Sequence, residues 1–82
     1  MTEEELLEHI ELDPETMLGK PVIRGTRITV EILLEKLSAG ETFEEILLDY
    51  PRLTRDSLLA ALAFARRVVG TDEWIPPVKA AG

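Results

Sequence analysis

The sequence predicts a mainly α-helical fold with a small β element: an N-terminal β-hairpin followed by a three-helix bundle. Three observations predict it. Between residues 30 and 69, apolar side chains recur at helical spacing in three successive segments. Each segment opens on a threonine placed as a cap and closes at a glycine or proline. Ahead of them, the stretch GKPVIRGTRITV (19–30) holds two short runs of β-branched residues on either side of Gly25.

In chain order, Thr2-Glu3-Glu4-Glu5 has the pattern of a capping box before Leu6 and Leu7, and predicts a short helix. His9-Ile10-Glu11-Leu12 alternates polar and apolar, the period of a strand, and Asp13-Pro14 ends it with turn chemistry. A loop closing at Gly19 leads to Val22-Ile23 and Ile28-Thr29-Val30, which read as two short strands. Gly25 lies between them, where a tight turn requires positive φ. The first bundle helix is capped by Thr29, carries Val30, Leu33, Leu34 and Leu37 on one face, and ends at Gly40. Thr42-Phe43-Glu44-Glu45 is the capping box of the second, in which Phe43, Ile46, Leu47 and Tyr50 repeat the spacing until Pro51. Thr54 caps the third, with Asp56 in its first turn; Leu58, Ala61, Leu62, Ala65 and Val69 form its apolar face, its alanines allow close helix approach, and Gly70 ends it. Pro76-Pro77 blocks further helix. The reading is therefore a single domain over 1–70 (short helix and hairpin over 1–30, tri-helical unit over 30–70) with a tail over 71–82.

At 82 residues the chain makes one domain. A domain this short buries only about 60% of the surface its unfolded chain exposes, so support from outside the core is expected. There is no cysteine and a lone histidine, His9, which excludes disulfides, zinc ribbons and His-rich metal sites and suits a reducing cytoplasm. Idealised packing or oligomerisation remains; the second is favoured, since the exposed edges of a short hairpin invite a homodimer. No apolar run approaches a membrane span, and the N-terminus TEEELLEH is acidic where a signal peptide is basic. A cytoplasmic protein with no membrane partner is expected.

The formal charge of −7 argues against loose, non-specific nucleic-acid binding, but it is unevenly spread. Acids crowd residues 1–15 and 31–49. Lys20, Arg24 and Arg27 gather on the hairpin, and Arg52, Arg55, Arg66 and Arg67 on and before the third bundle helix. Arginine suits bidentate contacts with phosphate or carboxylate. The bland alternative is ordinary surface charge, with the hairpin cations paired to the acidic N-terminus.

Catalytic signals are weak. His9 and Asp13 straddle a strand and a turn and share no helical face, so they make a poor metal pair. Ser38 and Ser57 lie outside any nucleophile elbow, and no second histidine completes a triad. Gly19-Lys20 with Gly25-Thr26 has the wrong order for a phosphate loop, and Pro21 removes an amide that such a loop needs. The expectation is no enzyme, no cofactor and no metal. The segment from Thr42 to Arg67 instead reads helix, turn, helix, and with the preceding helix it forms the architecture of helix-turn-helix proteins. In such a unit the start of the last helix enters the major groove. Here it offers Arg52, Thr54, Arg55 and Ser57 as DNA contacts. Lys20, Arg24, Arg27, Arg66 and Arg67 are candidates for binding a protein partner. Trp74, beside two prolines, either pins the tail to the core or anchors a partner.

The run DPETMLGKPVIRGTRITVEILLEKLSAGETFEEILLDYPRLTRDSLLAALAFA resembles the bacterial and archaeal domain-of-unknown-function family numbered 433. The likeness is carried by Asp13-Pro14, Gly19-Lys20-Pro21-Val22-Ile23, Gly25-Thr26-Arg27-Ile28, the Gly40 break, Tyr50-Pro51 with Leu53-Thr54, and the Ala-rich last helix. The resemblance implies a homeodomain-like tri-helical core behind a β-hairpin. It also implies an antitoxin of a toxin–antitoxin pair, encoded beside a small PIN-like ribonuclease toxin, and it supplies no catalytic residues. The function expected is a dimeric helix-turn-helix antitoxin that binds such a toxin and its own operator DNA. The competing expectation is a protein-interaction module that binds a basic partner and no DNA.

Overall fold

The computed structural model describes residues 1–15 and 17–71. Helix α1 (Glu3–Leu7) leads into strand β1 (Ile10–Glu11); a 3-10 turn (Met17–Gly19) and strand β2 (Val22–Ile23) follow, and then helices α2 (Val30–Ser38), α3 (Phe43–Asp49) and α4 (Arg55–Thr71). This is the mainly helical class with a small N-terminal antiparallel hairpin that the sequence predicts.

Threonine caps set the helix starts. In α1 the Thr2 hydroxyl accepts from the Glu5 amide at 3.2 Å, and the Glu5 carboxylate accepts from the Thr2 amide at 2.9 Å. Thr42 and Glu45 repeat the exchange at the start of α3, at 3.1 and 2.8 Å. Thr29 caps α2 by accepting from the Ile32 amide at 3.1 Å. Its other end closes in a Schellman motif: Gly40 takes φ +93°, its amide donates to the Leu37 carbonyl at 3.0 Å, and the Glu41 amide donates to Lys36 at 3.1 Å. Pro51 stops α3 by driving Tyr50 out of the helical region, to φ −126° and ψ 76°.

The hairpin is wired differently from the sequence reading. β2 pairs with β1, Ile10 opposite Ile23 and Glu11 opposite Val22. The pairing expected between Val22-Ile23 and Ile28–Val30 shrinks to one bridge, Val22 with Thr29, and one bond from the Ile23 amide to the Ile28 carbonyl at 2.9 Å. Thr29 is the last extended residue, at φ −79° and ψ 152°, and its hydroxyl caps α2, so the pairing stops there. The Val30 amide that opens the helix is satisfied by the Pro21 carbonyl at 2.9 Å. Gly25 has φ +81° in the connecting turn, as the sequence requires.

The core joins Ile10 and Ile23 of the hairpin to Val30 and Leu33 of α2, Ile46 of α3, Leu53 of the turn, and Leu58, Ala60 and Ala61 of α4. On α4 the buried stripe is Ser57, Ala60 and Ala61 with half-buried Phe64, spaced i, i+3, i+4, i+7, beside Leu58. The predicted stripe was rotated from this: Leu58 and Ala61 are buried, but Leu62 and Val69 are exposed. The buried face thus combines one large side chain, Leu58, with the small Ser57, Ala60 and Ala61. Gly70 does not end α4, which continues through it to Thr71. Trp74 and residues 72–82 lie outside the described residues.

Candidate nucleic-acid interface

The start of α4 is built by a third, unanticipated capping box. Thr54 and Ser57 exchange hydrogen bonds: the Thr54 amide donates to the Ser57 hydroxyl at 3.1 Å, and the Ser57 amide donates to the Thr54 hydroxyl at 3.3 Å. Serine takes the place that glutamate holds in the other two boxes. Ser57 is only 5% exposed, so it is not positioned as a DNA contact; its hydroxyl is inside the fold and serves the cap. The Thr54 side chain serves the same cap. Of the four contacts expected from the sequence, the two hydroxyls are consumed locally and the two arginines are not.

Both arginines are braced without a counter-charge. Arg52 Nη2 donates to the Gly25 carbonyl at 3.0 Å, tying the helix-turn-helix connection to the tip of the hairpin. The Arg55 guanidinium lies 5.2 Å from the centre of the Phe43 ring. Stacking occupies the face of the guanidinium and leaves its N–H edges available, the edges that pair with guanine or phosphate. Arg27 stands two residues beyond Gly25 on the same exposed turn.

The charge map separates these residues from the other cations. Lys20 pairs with Glu31 at 3.1 Å, and Lys36 with Glu41 and Asp49 at 3.5 and 3.7 Å. Arg66 and Arg67 both pair with Glu3, at 3.0 and 2.7 Å, and Arg67 also reaches Glu4 at 3.5 Å. Among the described residues, Arg24, Arg27, Arg52 and Arg55 alone of the basic side chains have no carboxylate within ion-pair distance. Arg24 is used structurally. Its Nε donates to the Glu8 carbonyl at 2.8 Å and its Nη2 to the Ile10 carbonyl at 3.4 Å, closing the end of α1 over the hairpin. Arg27, Arg52 and Arg55 are left as cations with donors to spare.

Tertiary structure therefore regroups the candidates. Arg27, from the expected partner-binding set, lies on the hairpin turn that Arg52 of the DNA set grips; Ser57 is buried, and Thr54 is exposed with its hydroxyl in the cap. Lys20 is paired within the chain, though with Glu31 and not the N-terminus; the acids of the N-terminus engage Arg66 and Arg67 instead. Those pairs hold the Glu3 carboxyl below its ordinary range, chiefly through the Arg67 hydrogen bond, against partial desolvation and with help from the charges of both arginines. Phe43 and Gly25 are legible in the sequence as a helix-face residue and a turn glycine, but not as the platform under Arg55 and the anchor of Arg52, since each belongs to a different element from the arginine it holds. No group of three or more His, Asp or Glu able to hold a metal occurs among the described residues. None of their helices is long and apolar enough to cross a membrane.

Comparison with known proteins supports the same core. The family model described as "Protein of unknown function (DUF433)" matches residues 10–65. A crystal structure of a DUF433 member protein from Anabaena variabilis ATCC 29413 aligns with a TM-score of 0.73 at 31% identity, covering 82% of this chain and 66% of that one. The chain thus spans just under two thirds of that relative. No curated protein matches.

Proposed function

Since the chain belongs to the DUF433 family of proteins of unknown function, we propose a function from its geometry: a helix-turn-helix protein of antitoxin type that holds operator DNA at the start of α4. One observation carries the reading. Arg52, free of carboxylate pairing, ties the start of α4 to the hairpin tip, Arg55 stands beside it on the first turn of α4, and the exposed Arg27 lies two residues along that hairpin turn. Arg52 and Arg55 are pre-set by a carbonyl and an aromatic face, which lowers the ordering cost of binding without neutralising them. A homodimer would present two such ends to half-sites about one helical turn apart. The partner half of the reading, neutralisation of a PIN-like ribonuclease toxin, rests on the family resemblance and not on this site.

The test is a gel shift on the DNA upstream of the chain's own reading frame, at low salt, with and without the adjacent gene product. Arg55→Ala is expected to weaken the shift by about 1–3 kcal/mol if it meets a base. The affinity should fall with salt at a slope of about 0.9 per phosphate neutralised, and Arg27→Gln should lower that slope by about one unit per chain. No retardation at low salt by either the chain or its complex removes the DNA half.

A second reading is a protein-interaction module that binds no DNA. It is favoured by the formal charge of −7 and by the exposed acids of α3, Glu44 and Glu45, which would face a basic partner. Copurification of a complex that leaves DNA unshifted at every salt concentration selects it.

A further inference from the structure

We propose that the C-terminal half of α4 carries a binding site, built on Arg66 and Arg67, for an acidic amphipathic helix of a partner protein, and that α1 is its resident occupant in the free chain. The site is eleven residues along α4 from Arg55, about 17 Å at the helical rise, and does not depend on the DNA reading.

The chemistry of the occupant is read from α1 itself. Glu3 spans both guanidiniums: one carboxylate oxygen accepts from Arg66 Nη1 at 3.0 Å, the other from Arg67 Nε at 2.8 Å. Glu4 takes Arg67 Nη2 at 3.5 Å. Two adjacent arginines repel one another, and a carboxylate shared between them is the geometry in which both are satisfied. Behind these acids Leu6 and Leu7 turn toward the protein, both half-buried. The surface thus already selects an acidic helix with an apolar back.

α1 fills this surface incompletely. It is five residues long, contributes no buried residue, and is far below the length at which a helix holds itself together. Its ion pairs are exposed and correspondingly weak. On either side of Arg67 the surface continues as open hollows: one of about 280 Å³ lined by Leu7, Ile10, Leu12 and Phe64, the other of about 580 Å³ lined by Ala65, Val69 and Gly70. Leu12 and Val69 are 61% and 69% exposed at their edges. A longer acidic helix would place carboxylates where Glu3 and Glu4 lie, fill the space that Leu7 vacates beside Ile10, Leu12 and Phe64, and extend apolar side chains along Ala65, Val69 and Gly70. It would displace α1 by covering more apolar surface with the same charge contacts.

Fluorescence anisotropy with the full chain tests this, using as probe a labelled synthetic peptide that repeats the Thr2–Glu8 sequence twice. Replacing Glu3 and Glu4 by Gln removes the resident competitor, and that variant should bind the probe about tenfold tighter than the unmodified chain. Arg66→Gln with Arg67→Gln should bind about tenfold more weakly in either background, because the carboxylates lose their donors. Nuclear magnetic resonance of the unmodified chain supplies an independent readout. Saturating peptide should move the α1 amide signals to random-coil positions and leave those around Arg55 in place, which also establishes that the bundle is folded. Equal affinity of the Glu3/Glu4 variant and the unmodified chain, undiminished binding by the Arg66/Arg67 variant, or binding with α1 signals unmoved would each overturn the proposal. Loss of the DNA shift would leave all three results unaffected.

Discussion

Replacing Ser57 by Ala, Thr54 by Ala, and both together probes whether the start of α4 is held by the reciprocal box seen here. In Ser57→Ala the Thr54 amide loses its acceptor at 3.1 Å, and a side chain that is 5% exposed gives up its hydroxyl. One net hydrogen bond is at stake, about 0.5–1.5 kcal/mol, with the upper part of that range expected because the freed amide is only partly reached by water. In Thr54→Ala the Ser57 amide loses the Thr54 hydroxyl at 3.3 Å, the ordinary loss of an N-cap, about 1 kcal/mol. The two hydroxyls also lie 3.3 Å from each other, so either single change already weakens what the other removes. The double variant should therefore fall short of the sum of the singles by about 0.5 kcal/mol or more. For a chain of 82 residues, whose total stability is on the order of 4–12 kcal/mol, each single loss is a measurable fraction. Urea unfolding followed by circular dichroism is the assay, with the slope unchanged across the set. DNA retention, compared at equal folded fraction, should be the same for Ser57→Ala as for the unmodified chain and reduced for Arg55→Ala. A neutral Ser57→Ala with additive behaviour in the double variant would refute the reciprocal cap. A Ser57→Ala variant that is stable yet loses DNA would refute the assignment of Ser57 to structure.

Two further outcomes follow from the packing and the charge map. Leu33→Ala, at a fully buried position where α2 meets the rest of the core, should cost about 2–5 kcal/mol, a large share of the total stability, and lower the midpoint of the same urea curves accordingly. Acidification should release α1 before the bundle unfolds. The Glu3 carboxyl is lowered chiefly by the Arg67 hydrogen bond, and that of Glu5 chiefly by the Thr2 amide, so both stabilise the folded form above the ordinary value of 4.5 and lose that contribution as the pH falls below it through their lowered values. Amide signals of residues 2–8 should move to random-coil positions as the pH falls below that ordinary value while those of α2 to α4 hold; α1 signals lost only together with those of α2 to α4 would contradict the clamp.

Most helix boundaries of this protein could be read from single residues because each is a local event. Thr2 with Glu5, Thr42 with Glu45, and Thr29 before Val30 satisfy amides within one turn of themselves, and Gly40 takes positive φ whatever packs nearby. The candidate site was readable only in part. Arg52 and Arg55 could be placed at the start of the last helix from the Pro51 stop and the Thr54 cap, and that placement holds.

What tertiary structure alone decided is which partner each multivalent group takes. The Val30 amide that opens α2 takes the Pro21 carbonyl at 2.9 Å, a partner nine residues back along the chain. On α4 the sequence places Leu58, Ala61, Leu62, Ala65 and Val69 on one face; Leu58 and Ala61 are buried, but packing buries Ser57 and Ala60 beside them, half-buries Phe64, and leaves Leu62 and Val69 exposed. The arginines divide for the same reason. Whether a guanidinium meets Glu3, a carbonyl of β1, or the face of Phe43 depends on contacts between elements distant along the chain. Local chemistry thus set where the helices start and stop, and the three-dimensional arrangement set which charges remain for a partner.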